Sequence, residues 1–115
     1  MDKATDVFMR REGDVVIVNI KGDVTAQSEQ VIEDAYEKIS SSGYQKILLH
    51  FDENAYINSG GIAVLITMLA KSRKNNQVIY MTGLSDHFQK IFHMVGITNY
   101  SKIYPSEPEA LQDFA

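Results

Sequence analysis

The chain contains no cysteine, which excludes disulfides, thiolate nucleophiles and cysteine-ligated metals and fits a reducing compartment. Long apolar runs are missing too: the longest is about five residues, against the roughly 20 that a membrane-spanning helix requires. Basic residues nowhere cluster with aromatics, and 11 Lys plus Arg stand against 15 Asp plus Glu for a formal charge of -4, so no nucleic-acid partner is expected. The opening MDKATD has neither the basic start nor the apolar stretch of a secretory signal. Internal repeats and low-complexity tracts are absent. The expectation left by these absences is a cytoplasmic protein without membrane insertion. With 115 residues, 44% of them hydrophobic, the chain can build one core, so residues 1–115 are expected to form a single domain without a linker.

What is present reads as alternating elements. Val7 to Arg10 and Val15 to Lys21 are β-branched runs on either side of Arg11-Glu12-Gly13-Asp14, which predicts an antiparallel hairpin. The period then changes: Val31, Ile32, Ala35, Tyr36 and Ile39 recur at helical spacing, with Ser28 as the expected N-cap and Gly43 past the end. Ile47 to Phe51 is a nearly continuous apolar run, expected as a central strand covered on both faces. A helix is predicted from about Ser59 to Lys74, stopping at Asn75-Asn76, and a strand over Val78 to Met81. Ser85 caps a third helix on which Phe88, Ile91, Phe92 and Val95 share a face, with Gly96 in the left-handed position beyond it. Lys102 to Tyr104 forms a last short strand, and Ser106-Glu107-Pro108 begins a terminal helix. The order β-β-α-β-α-β-α-β-α predicts an α/β fold, a mixed, mostly parallel sheet of about 4–5 strands with an antiparallel start and about 4 helices.

One short stretch asks for more than a fold. In Tyr56-Ile57-Asn58-Ser59-Gly60-Gly61-Ile62-Ala63 a serine begins a helix, and the simplest reading is an N-cap. Asn58 can itself cap, however, and two glycines in a first turn are poor helix formers. Missing β-carbons there would let a partner loop or a phosphate approach the exposed N–H groups of the helix N-terminus. The helix that follows is apolar over most of its circumference, with only Thr67, Lys71 and Lys74 left as a narrow polar strip. It is either buried on nearly all sides or presents an apolar surface to a partner. On the second reading Ile62, Leu65, Ile66 and Leu69 face the core, and Val64 and Met68 are the exposed anchors. Met68→Asp should then weaken partner binding and leave thermal stability nearly unchanged.

These residues resemble the STAS domain family, typified by bacterial anti-sigma factor antagonists. Asn58 to Ala63 is similar to the family's D-S-S-G-(L/I)-(G/A) loop, whose first serine is the phosphoacceptor, and that serine corresponds to Ser59. Ile20 to Ser28 resembles the family's G-x-L-D-x-x-(S/T) turn, and Thr82 to Tyr100 the segment before its final strand. Three departures stand out. Asn58 replaces the family aspartate, Gly60 the second serine, and Thr25 the aspartate of the turn, so negative charge near the acceptor is lost while the hydroxyl remains.

The resemblance implies a switch and not an enzyme: a protein that docks on an anti-sigma factor, a serine kinase of ATPase type, when Ser59 is unmodified and releases it on phosphorylation, thereby regulating transcription. A cognate phosphatase is a further implied partner. The implied docking residues are Thr25, Tyr56, Asn58, Ser59, Gly60, Gly61, Ala63, Val64, Thr67 and Met68. A docking module that works without phosphorylation in a signalling or transport assembly is the second reading, favoured by the missing carboxylates. A third, from another class, is a small enzyme or anion-binding domain at the Ser59 helix N-terminus. No cofactor or metal site is expected, because His50, His87 and His93 lack ligand spacing, and the oligomeric state stays open.

Overall fold

In a computed structural model of the chain, residues 4–115 are described; the expected domain also spans residues 1–3, which lie outside them. Five strands form one sheet in the order β1-β2-β3-β4-β5: β1 Asp6–Glu12, β2 Val15–Lys21, β3 Lys46–Phe51, β4 Val78–Thr82 and β5 Lys102–Tyr104. The first pair is antiparallel, in register from Asp6 opposite Lys21 to Glu12 opposite Val15. All later pairs are parallel. Four α-helices connect or follow the strands: α1 Glu29–Ser41, α2 Ser59–Lys74, α3 Asp86–Met94 and α4 Glu107–Phe114. The expected α/β architecture with its N-terminal hairpin is therefore the observed one.

The alternation of β3 explains the layers. Ile47, Leu49 and Phe51 point into the larger core with Val18, Ile32, Leu65, Phe88 and Phe92, so α1, α2 and α3 cover that face. Leu48 points the other way and joins Val15, Ile17, Ala110 and Phe114 under α4. A central strand apolar on both faces is what such a three-layer arrangement demands. Beyond Leu48 on the α4 side, His50 Nδ1 lies 2.5 Å from Glu107 Oε2, and Arg10 Nη2 donates to Glu107 Oε1 at 2.5 Å. Burial alone would raise the Glu107 carboxyl, but the hydrogen bonds from Arg10 and His50 together outweigh it and hold it below the usual value.

Two local expectations need correction. Ser28 does not cap α1 with its side chain. A 3-10 turn over Ala26–Ser28 comes first, capped by Thr25, whose hydroxyl accepts from Gln27 N–H while the Ser28 hydroxyl accepts from Thr25 N–H. The tighter turn moves the cap three residues upstream. Val95 is not a core position but the exposed C-cap of α3, because Gly96 in the left-handed region (φ 85°) turns the chain away one residue too early for it to reach the core. Asn75 and Asn76 end α2 as expected, with Asn76 itself at φ 57°.

Candidate functional site

β3 ends at Phe51, and the chain crosses the C-terminal ends of the parallel strands before α2 begins, the end where open α/β sheets place their sites. This crossing is held against the segment that follows β2. Asp52 N–H donates to Ile20 O at 3.0 Å, Tyr56 N–H to Asp23 Oδ1 at 3.0 Å, Val24 N–H to Tyr56 O at 2.9 Å and Asn58 N–H to Val24 O at 3.2 Å. Val24 and Ile57 form a single parallel bridge. The loop before α2 is thus a short strand pairing, and its backbone leaves Asn58 extended at φ -92°, ψ 179°.

Asn58, not Ser59, is the N-cap: its Oδ1 accepts Gly61 N–H at 2.9 Å. Ser59 is the first helical residue and is exposed, so its hydroxyl is not consumed by the helix. That separation of roles gives a direct test. Asn58→Ala is expected to cost about 1 kcal/mol of stability, whereas Ser59→Ala should stay within about 0.5 kcal/mol of wild type; urea unfolding of the two variants checks this. Equal losses would make Ser59 a cap after all.

The glycine pair has a different reason from the one expected. A β-carbon on Gly61 would lie 2.1 Å from Val24 O, and one on Gly60 would lie 2.9 Å from both Ala26 Cβ and Ala26 N. The close approach is made by the chain's own Val24–Ala26 segment, not by a partner loop or a phosphate. This brings Thr25, half-buried, and Ala26, exposed, beside the start of α2.

The orientation of α2 also differs from the expectation. Gly61, Val64, Leu65, Met68, Leu69 and Ser72 are buried. Val64 and Met68, the expected exposed anchors, are only 7% and 6% exposed. The reason is α1, which packs beside α2: Met68 reaches into the space bounded by Ile32, Ala35, Tyr36 and Ile39. Turning Val64 and Met68 inward turns Ile62 and Ile66, expected in the core, to a half-buried position. Ser59, Ala63, Thr67 and Ala70 are exposed between and beside them, and Thr67 folds its hydroxyl back onto Ala63 O at 3.0 Å. At about 100° per residue, Ser59, Ala63, Thr67 and Ala70 lie within one outward arc, with Ile62 and Ile66 on its flank, half-buried and packed against the core. Tyr56, 55% exposed and edge-on to Phe88, stands just before this arc.

Of the expected docking residues, the structure therefore gathers Thr25, Tyr56, Asn58, Ser59, Ala63 and Thr67 at one end and on one face, uses Gly60 and Gly61 for internal packing, and withdraws Val64 and Met68. Ile62 and Ile66, expected in the core, are half-buried and pack against its edge, so that expectation holds in part. Asp23, which orients the loop through Tyr56, was missed for want of any local pattern. Among the described residues no group of three or more His, Asp or Glu side chains could hold a metal ion, and no helix is long and apolar enough to cross a membrane.

Comparison with known proteins agrees with the fold. The family model of the STAS domain matches residues 7–110. An anti-sigma-B factor antagonist of Staphylococcus aureus is 20% identical over 80 residues, covering 70% of this chain and 74% of that protein. Among solved structures, an anti-sigma factor antagonist from Mycobacterium paratuberculosis superposes with a TM-score of 0.81 at 14% identity, over 96% of this chain and 93% of that one. The Bacillus cell fate determinant SpoIIAA superposes in its phosphorylated form with a TM-score of 0.66 at 12% identity, over 97% and 100% of the two chains. Its unphosphorylated form gives 0.67, also at 12%, over 96% and 97%. At such identities the structural likeness concerns the fold.

Proposed function

Because the chain belongs to the STAS domain family, whose model spans residues 7–110, we propose that it acts as an anti-sigma factor antagonist, a binding switch and not an enzyme. Its unmodified form docks on an anti-sigma factor, a serine kinase of ATPase type, through the outward face of α2, and phosphorylation of Ser59 ends the docking. The observation that carries this reading is the exposed Ser59 hydroxyl, spared from capping by Asn58, at the head of an outward face built from Ala63, Thr67 and Ala70 and flanked by the half-buried Ile62 and Ile66.

The switch works at the surface. A phosphate adds about -1.5 to -2 charges, and on the first residue of a helix it meets the positive end of the dipole, so the fold is kept. The likeness to SpoIIAA in both phosphorylated and unphosphorylated forms supports a fold that tolerates the modification. The same charge beside Ile62 and Ala63, with Asp52 and Glu53 in the preceding loop, resists desolvation against an apolar or acidic partner. Binding is lost and folding is not.

A second reading is supported by one set of residues. Asn58, Gly60 and Thr25 leave the surroundings of Ser59 without the carboxylates of the family motif, which favours a docking module that stays bound whatever happens at Ser59. The two readings separate in a pull-down from host lysate with wild type, Ser59→Ala, Ser59→Asp and Ile66→Asp as baits. Retention of an ATPase-type kinase by wild type and Ser59→Ala, with a loss of about 30-fold or more for Ser59→Asp, supports the switch. Equal retention by the three Ser59 forms supports the docking module. Ile66→Asp should lose the partner in either case, and its retention would remove α2 from the interface.

A further inference from the structure

The outer edge of β1 is the second unusual surface of the molecule. It is the edge of the sheet, paired with β2 alone, and every second residue of such a strand directs its N–H and C=O outward. Edge strands are ordinarily protected by proline, by bulges or by charged side chains, and β1 carries four charges, two of each sign: Asp6, Arg10, Arg11 and Glu12. β1 reads Asp-Val-Phe-Met-Arg-Arg-Glu: it has no proline, pairs with β2 without interruption over seven residues, and carries Phe8 54% exposed and Met9 41% exposed at its middle. The approach to the strand is anchored, since Thr5 Oγ1 donates to Asp23 O at 2.6 Å and lies 2.5 Å from Ser28 Oγ. The edge is therefore a fixed template and not a frayed end.

We propose that two copies of this chain pair antiparallel through β1, with Phe8 opposite Phe8 at the two-fold axis, joining the two five-stranded sheets into one. The occupant follows from charge. A two-fold axis perpendicular to the sheet requires each residue to meet one on the same face, so the axis falls on a residue. Centring on Phe8 sets Asp6 against the partner's Arg10, Val7 against the partner's Met9, and the mirror of each. Opposite charges face one another twice and apolar residues meet apolar ones. Centring on Met9 instead sets Asp6 against the partner's Glu12, twice, and centring on Arg10 sets Arg10 against itself. Directly opposed like charges are destabilising, so the strand is self-complementary in one register. Arg10 donates at 3.3 Å to Glu12 and at 2.5 Å to Glu107, and a guanidinium with five N–H groups keeps donors for a further carboxylate.

The pairing is independent of the function proposed above. α1 packs against both β1 and α2 and so separates the edge from the outward face of α2, leaving Ser59 accessible in a dimer.

Because the chain has no cysteine of its own, a single introduced cysteine reads the register. Directly opposite residues of an antiparallel pair have Cα atoms about 4.5–5.5 Å apart, within disulfide range. Full-length Phe8→Cys under mild oxidation is expected to form a covalent dimer. Arg10→Cys alone should not, since its own copy would stand about 14 Å away along the strands, but mixed with Asp6→Cys it should form the heterodimer. Sedimentation velocity over a concentration series should show wild type shifting from monomer to dimer, and Asp6→Arg, which opposes arginines twice, should abolish the shift and lower Phe8→Cys cross-linking at least 10-fold. A wild-type monomer at every concentration overturns the proposal. So do cross-linking of Arg10→Cys as fast as Phe8→Cys, and a dimer indifferent to Asp6→Arg, which would use another face.

Discussion

Met68→Asp is expected to unfold the domain or bring it to the edge of unfolding. Met68 is buried between α1 and α2 beside Ile32, Ala35, Tyr36 and Ile39, and no basic side chain lines that space. A carboxylate placed there either loses its hydration or takes up a proton, and both courses cost several kcal/mol. The thioether's apolar contacts are lost as well, so a total of about 4 kcal/mol or more is expected. A domain of this size typically has about 5–15 kcal/mol in all. Met68→Leu, nearly equal in volume, should cost less than about 1.5 kcal/mol, and Ile66→Asp, half-buried at the edge of the core, should fall between the two Met68 variants at about 1–3 kcal/mol. Urea unfolding followed by circular dichroism separates the three. A Met68→Asp protein as stable as Met68→Leu would mean that α2 is rotated and that Met68, not Ile66, is the surface anchor.

Gly61→Ala carries the next largest effect, and here even the sign is informative. In an open helix the substitution is favourable by about 1 kcal/mol, because alanine restricts the unfolded chain and glycine is a poor helix former. At Gly61 the added methyl would sit 2.1 Å from Val24 O and 2.6 Å from Val24 C. These are backbone atoms, held by the bonds from Val24 N–H to Tyr56 O and from Asn58 N–H to Val24 O, and they cannot rotate away as a side chain would. The motif loop must separate from the β2 side, at a cost of about 2–4 kcal/mol, with large amide shifts at Val24, Asn58 and Ser59 by NMR. Gly60→Ala meets Ala26 Cβ and N at 2.9 Å and should fall between the two limits. Stabilisation by Gly61→Ala would mean that the space beside the helix is open and that the glycines serve a visiting group instead.

Taken together, the two variants describe how the site is assembled. α2 is locked at its N-terminus by a backbone-to-backbone fit with Val24 and along its length by side chains wedged against α1. Ser59 is held at a defined place on the surface by contacts that do not involve its hydroxyl.

The sequence alone determined whatever rests on local physical chemistry. The hairpin, the three strands after it, and the starts of α2, α3 and α4 were legible because turns, caps and periodicity act within a few residues: Gly13 and Asp14 close the hairpin, and Ser85 and Ser106 cap their helices through Phe88 N–H and Glu109 N–H. The motif around Ser59 was legible for the same reason, as a serine out of keeping with its helical surroundings. Tertiary structure alone decided which side of α2 meets water and what the two glycines are for. A helix apolar around most of its circumference has no strong preference of its own for one face, so the choice falls to α1, whose Ile32, Ala35, Tyr36 and Ile39 take Met68 and leave Ile66 half-buried at the edge of the core. The glycines answer to Val24 and Ala26, which the chain brings against them from more than 30 residues away, and no pattern within a helix can encode a neighbour that arrives only when the sheet has formed.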